Sequence, residues 1–250
     1  MARKFVKTSS ERINAGYISA IEGTANVSMS MWCKRNAAGN RGGMFKGSAS
    51  TGPWEEIFID FEADGNVYVS VKNSNTNAYG KITNNDTNWH HVVLVYDGGG
   101  ATDADKLVMF FDGVKQSLTL NGPIPTTTAS EGEDLYIGYR VFATRYFDCE
   151  SAECKVWSST LTDAEAVQDY YGNIPSRDTL VAYLPLLGDS PEPDYSGNGF
   201  NGTISGTPDI TDHPGLMPQF GFDSDQEFLA IAAAAGNPHY YYAQQQLLAG

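Results

Sequence analysis

Cysteine is scarce. Cys33, Cys149 and Cys154 are the only three in 250 residues, an odd number and too few for a disulfide framework. All three read as reduced, small core or edge residues. Cys149 and Cys154 stand five apart, so on one regular strand they would point to opposite faces. Positive charge is also in short supply. Lys and Arg number 16 against 30 Asp and Glu, for a net charge of −14. Such a chain repels the phosphates of nucleic acid and the surface of an anionic membrane, so neither is an expected partner. No apolar run approaches the roughly 18 residues of a membrane span, and no membrane insertion is expected. The opening MARKFVKTSSERI is basic but lacks the apolar centre of a secretory signal. The chain therefore reads as one made and assembled in a cytosol. No Ser-His-Asp spacing or metal-binding histidine cluster stands out. Gly98-Gly99-Gly100 and Asn198-Gly199 lead into no helix carrying a phosphate-loop lysine.

What is present suits one large all-β domain. Hydrophobic residues make up 41% and aromatics 12%, enough for a core without metal or disulfide staples. The 26 glycines and 11 prolines fit many short turns. Residues 3–8 and 26–34 read as strands. In the second, Val27, Met29, Met31 and Cys33 oppose Ser28, Ser30, Trp32 and Lys34, so periodicity alone leaves the buried face open, and a strand buried on both sides would resolve it. Residues 55–62 and 66–72 read as a hairpin around Ala63-Asp64-Gly65, with Val67, Val69 and Val71 alternating with Tyr68, Ser70 and Lys72. His91 to Tyr96 and Lys106 to Phe111 are two more strands joined by an acidic loop. Asp112-Gly113 supplies the positive-φ positions of a tight hairpin, and Val114 starts a strand that Leu118 to Leu120 extends. Further strands are expected over 135–139, 146–157 and 179–186. Thr162 and Glu165 form a capping box that opens a short helix, which Gly172 and Pro175 stop.

The run Asn88 to Gly113, NWHHVVLVYDGGGATDADKLVMFFDG, closely resembles the central signature of the LamG-like, concanavalin A-like jelly-roll family. KVWSSTLTDAEAVQDYY resembles its closing strand and helix, and TLVAYLPL with DYSGNGFNG resembles a further strand and turn. The likeness covers about residues 1 to 210. It implies a two-sheet antiparallel jelly-roll sandwich over 1–213 with one short helix, and residues 214–250 are left as an expected C-terminal extended arm. The opening Met-Ala-Arg-x-Phe is similar to stand-alone members encoded among the structural proteins of tailed bacteriophages.

Concanavalin A-like glucanases carry a Glu-x-Asp-x-Glu strand that sets its acids on one face. Here Asp60 and Glu62 match, but Phe58 stands at the nucleophile's place. Glu56, one step further back, is about 20 Å from Glu62 at the usual strand rise, where a retaining pair needs about 5 Å. A non-enzyme is expected. The adjacent His90 and His91 point to opposite faces, cannot share a metal, and read as structural. Asp97, Asp103 and Asp105 offer a rim loop with three carboxylates, a candidate calcium site, since calcium takes six to eight oxygens. The plain alternative is a solvated acidic loop. Asp194 to Asn198 is a second, weaker candidate. Trp54, Tyr79, Tyr139, Phe142 and Tyr146 lie in or near loops and are the candidate sugar-stacking aromatics.

From Pro214 the composition changes to a low-charge tail with four alanines, three tyrosines and three glutamines in runs. Phe220, Phe222, Phe228, Tyr240, Tyr241 and Tyr242 make it a candidate assembly arm, docking on a neighbouring subunit or folding back on its own sandwich. The expectation is a non-enzymatic virion protein, a capsid decoration or tail appendage assembled in the host cytoplasm. Its partners would be a capsid or tail protein of the same particle, further copies of itself as a trimer, and a host-surface glycan. The rival expectation is a calcium-dependent lectin that is not part of a particle.

Overall fold

The structure is a computed structural model, and it describes residues 1–48, 55–74, 77–141 and 144–215. In chain order the strands are β1 (Ala2–Phe5), β2 (Arg12–Tyr17), β3 (Asn26–Arg35), β4 (Gly42–Gly47), β5 (Glu56–Phe61) and β6 (Asn66–Lys72). Then come β7 (Tyr79–Thr83), β8 (His90–Asp97), β9 (Leu107–Phe111), β10 (Val114–Lys115), β11 (Thr119–Asn121) and β12 (Asp134–Ile137). The last are β13 (Tyr139–Arg140), β14 (Arg145–Tyr146), β15 (Cys149–Trp157), β16 (Leu180–Leu184), β17 (Thr203–Ser205) and β18 (Asp209–Thr211). Two helices accompany them, α1 (Asp103–Lys106) and α2 (Asp163–Tyr170).

The strands build two antiparallel sheets that face each other as a jelly-roll sandwich. The first runs β10-β9-β8-β3-β15-β1-β18, with β16 also paired to β15. The second runs β11-β7-β6-β5-β4-β12-β2-β17. A small third ladder joins β13 to β14. The inner faces follow the period of two: Met29, Val92, Leu94 and Val156 from one sheet meet Ile57, Ile59, Val67, Val69 and Leu135 from the other. Strand β3 is buried on both sides. Its Val27-Met29-Met31-Cys33 series enters this core, while Trp32 packs on Ala2 and Ala152 on the outer side. A second apolar layer, with Trp157, Leu161, Ala166 and Tyr183, lies between the first sheet and α2.

Local chemistry sets the turns. Asp112 (φ 50°) and Gly113 (φ 76°) are both left-handed, the two-residue geometry that suits the twist of the β9–β10 hairpin. A Cβ on Gly113 would lie 2.8 Å from the Tyr170 ring, so the turn is seated under the end of α2. Helix α2 starts in the expected capping box, Thr162 accepting from the Glu165 N–H and Glu165 accepting from Thr162.

Four expectations need correction. The first strand stops at Phe5 and a 3-10 turn over Lys7–Ser9 follows. The strand from Val114 does not extend to Leu120. It ends at Lys115, and Thr119–Asn121 crosses to the second sheet and pairs with β7, where Leu118 and Leu120 pack against the main core. The acidic loop closes with α1, one helical turn capped by Thr102 and Asp105, which delays the next strand to Leu107. Finally, Cys149 and Cys154 do not point apart. The β15–β3 register shifts between Ala152 and Lys155, and Glu153 is left-handed at φ 55°. This bulge adds one residue and puts both thiols in the main core with Cys33. All three are free and buried.

Candidate functional site

The acidic loop spends its carboxylates on backbone N–H groups, its own and that of Ile124. Asp97 accepts from the Gly99 N–H at 2.9 Å, and Asp103 from the Ile124 N–H at 3.1 Å. Asp105 accepts from the Thr102 N–H at 3.0 Å and from its hydroxyl at 2.7 Å. Asp194 is a hub in the same sense: it accepts from the N–H groups of Tyr183, Ser196 and Phe200 and from the Ser196 hydroxyl. Among the described residues no three His, Cys, Asp or Glu side chains are grouped as a metal ion would require.

The outer face of the first sheet is closed. Under α2, His91 Nε2 lies 3.1 Å from Asp169, whose other oxygen is 3.0 Å from Lys155 Nζ. Lys155 is in turn 3.5 Å from Glu153, which accepts from the Tyr183 hydroxyl at 2.6 Å. His91, Asp169, Lys155, Glu153 and Tyr183 are all buried, so this chain of charges joins helix to sheet rather than meeting a ligand. His90 points the other way. Its ring nitrogens lie 2.7 Å from Asp112 and 2.8 Å from Asp86, and the ring stacks on Phe111. Burial alone would lower its pKa; the two carboxylates prevail and raise it.

The outer face of the second sheet is different. Alternation places Glu56, Phe58 and Asp60 of β5 on it, opposite the core residues Ile57, Ile59 and Phe61. Their cross-strand partners add Lys72, Ser70 and Tyr68 from β6 and Gly47, Phe45 and Gly43 from β4. Phe45 pairs onward with Tyr136, and Tyr136 with Asn14. Arg140 lies over the middle, its guanidinium 4.5 Å from the Phe58 ring centroid and 5.2 Å from that of Phe45. It reaches Glu56 at 2.8 Å, Asp60 at 3.3 Å and Glu62 at 3.6 Å. Lys72 holds Glu56 at 3.0 Å, and Arg41 and Arg145 hold Glu62 at 2.6 and 3.1 Å. The backbone spacing therefore overstated the separation of Glu56 and Glu62, since one guanidinium gathers both heads.

This centre has unequal acids. Burial, reinforced by Glu62, pushes Asp60 up to about 7 against the pull of Arg140. For Glu62 burial also works upward, but Arg41 and Arg145 hold it below its ordinary value. Asp60 is 2% exposed and Glu56 3%, so their carboxylates lie beneath Arg140 instead of lining an open cleft.

Aromatics flank the centre. On one side Tyr79 meets Tyr68 edge-on at 5.2 Å, with Lys81 over the Tyr68 ring. On the other, at the small third ladder, Tyr139 and Tyr146 are cross-strand partners whose rings lie 4.7 Å apart. Tyr136 meets Tyr139 edge-on at 5.3 Å, and Arg12 stacks over both Tyr139 and Tyr146. Of the aromatics expected to stack on sugar, Tyr139 and Tyr146 thus come together and Tyr79 stands apart. Trp54 and Phe142 lie outside the described residues, as do Phe220, Phe222, Phe228, Tyr240, Tyr241 and Tyr242 of the tail. Tyr68, Tyr136, Arg12 and Arg140 were missed. The first two were within reach, since each alternates with core residues, Val67 and Val69 or Leu135 and Ile137. Arg140 follows a residue at positive φ, Gly138, which re-aims the short β13 strand, and no spacing announces that.

A two-sheet jelly roll with one outer face closed by a helix and the other lined by tyrosines and charge is a sandwich of the lectin and glucanase class. Residues 8–167 match the Laminin_G_3 family model, described as the concanavalin A-like lectin/glucanases superfamily, and the chain belongs to that superfamily. No curated protein matches it in sequence. Among solved structures, it is similar to a Bacteroides ovatus protein provisionally assigned to carbohydrate binding, at 17% identity and a TM-score of 0.58. That match covers 85% of this chain and 60% of the other, so the chain spans less than two thirds of that protein. It is also similar to the native heptameric SAP-like pentraxin of Limulus polyphemus, at 13% identity and a TM-score of 0.54, covering 82% of this chain and 94% of that one. At these identities the likeness is one of fold.

Proposed function

We propose that this protein is a non-enzymatic carbohydrate-binding module, and that its glycan docks on the outer face of the second sheet at Tyr136, Tyr139 and Tyr146. The observation that carries this reading is the tyrosine cluster itself. Three half-buried rings meet at the β12–β13–β14 corner with Asn14 and Arg12 beside them. Flat aromatic faces with polar tips suit the apolar side of a pyranose, and the neighbouring amide and guanidinium suit its hydroxyls. The assignment of the Bacteroides ovatus relative to carbohydrate binding supports it. The test is a glycan array followed by titration calorimetry. Tyr139→Ala is expected to weaken binding by at least about tenfold, the scale of losing one stacked aromatic contact. A hit whose affinity is unchanged by both Tyr139→Ala and Tyr136→Ala would place the glycan elsewhere.

A hydrolase has one observation in its favour, the split between Asp60 and Glu62, because acid and base roles require two carboxyls of different pKa. The burial of Asp60 and Glu56 under Arg140 weighs more heavily against it. Release of reducing sugar that is lost in Asp60→Asn would reverse this judgement. A place on a phage particle, with the tail as attachment or trimerisation arm, is a narrower proposal resting on the opening residues and tail composition. Light-scattering mass of the full chain and of residues 1–213 tests it, since a monomer in both forms removes the tail as a self-association element.

A further inference from the structure

We infer that the glycan taken at the tyrosine corner is an acidic one, whose carboxylate is received by Arg12. This rests on the carbohydrate-binding reading and adds the charge of the ligand. The other cations named at the centre of this face are already matched: Arg140 and Lys72 by Glu56, Arg41 and Arg145 by Glu62. Arg12 is not. Its guanidinium carbon lies 5.2 Å from the Tyr139 ring centroid and 5.6 Å from that of Tyr146, and its Nη1 donates to the Tyr146 hydroxyl at 3.0 Å. Among the described residues no carboxylate lies within ion-pair distance of it, although acids outnumber bases by 14. The acid on the neighbouring strand, Asp134, is engaged by Asn14 Nδ2 at 2.8 Å.

A guanidinium carries five N–H donors in a planar fork that matches a carboxylate. Here one donor is spent on a tyrosine hydroxyl, and the guanidinium lies over two aromatic rings. That stacking strips water from one side of the cation and fixes its orientation, so a carboxylate meets a donor that loses little freedom on binding. The rings that would carry the pyranose are the rings that carry Arg12, so sugar and charge are read at one place. The net charge does not forbid this. Fields from surface charges fade beyond about 8 Å at physiological salt, whereas the contact with Arg12 is direct. A short acidic oligosaccharide is thereby admitted where a long polyanion such as nucleic acid is repelled.

The probe pair is trigalacturonate and its fully methyl-esterified form, which differ in charge but share the ring and linkage. They are titrated into the full chain by calorimetry alongside a glycan array of neutral and acidic oligosaccharides. The acid is expected to bind at least about tenfold more tightly than the ester, the range of one charge-assisted hydrogen bond. Arg12→Gln is expected to erase that preference, and Arg12→Lys, which keeps the charge but gives up the fork, to retain part of it. Equal affinity for acid and ester in the native protein overturns the inference, as does a preference unchanged in whichever variant folds. Neutral array hits that depend on Tyr139 without acidic ones sink the inference but leave the carbohydrate-binding reading standing. An array with no hit at all sinks both.

Discussion

Asp60 is the residue whose environment departs furthest from what its position in a strand suggests. The period of two put it on the outer face beside Glu62, and that much was legible. Its burial was not, because Arg140 arrives from a strand 80 positions later. The consequence can be measured. A carboxyl is ordinarily half-ionised near 3.9 in the unfolded chain, and in the fold Asp60 is held up to about 7. Below about pH 4 it is neutral in both states and costs nothing. Between there and pH 7 the unfolded chain ionises first, so stability falls with rising pH, and above 7 that loss is complete. Asp60→Asn should therefore raise the thermal midpoint at pH 8, with the gain shrinking to nothing towards pH 4. A lower midpoint at pH 8 would mean that the Arg140 pair outweighs the cost of burial.

At the scale of elements, the strands and the short helix α2 were legible wherever a periodic run ended in a turn with its own chemistry. Asp112-Gly113 and the Thr162–Glu165 box are examples: each is a local hydrogen-bonding or φ requirement that few residue types meet. The sequence misled where pairing is decided by distant partners. Val114 and Leu120 read as one strand, yet they belong to opposite sheets. The β9–β10 turn offers a test of how closely element and helix are coupled. Gly113→Ala places a side chain at φ 76° and drives a Cβ to 2.8 Å from Tyr170. A left-handed non-glycine residue costs roughly 1–2 kcal/mol, and displacement of the ring adds to it. Chemical denaturation should show at least that loss with an unchanged m-value, and an effect below ~0.5 kcal/mol would mean that α2 moves freely off the turn.

For the whole molecule, the sandwich holds itself together by burial, and its three thiols contribute as small apolar groups. Burial pushes Cys33 and Cys154 above their ordinary range, which leaves them poor nucleophiles. A thiol reagent should therefore find three cysteines in denaturant and essentially none in the native protein, and the melting temperature should not respond to a reductant. Rapid labelling of one thiol under native conditions would reveal an opening of the sandwich at that strand. The same scale explains the limits of the candidate site's legibility. Tyr139 and Tyr146 were visible as loop-borne aromatics, but only the third ladder brings them together, and Arg12 joins them from the other end of the chain.

The extra residue in β15 sets a rule for length as well as for composition. Loops of this fold can gain or lose residues, and most surface positions can change type. At Ala152 and Glu153 the count can fall by one but not by two. Removing either one would return the strand to plain alternation opposite Met31, with Cys154 and Val156 still facing the core and Lys155 still facing the helix. Removing both would turn every later side chain over: Cys154 and Val156 would rotate towards the helix, and Lys155 with its negative partner would be driven between the sheets. A second deleted codon there would undo more of the molecule than any one substitution in the same strand, because it would exchange the inside of the protein for the outside.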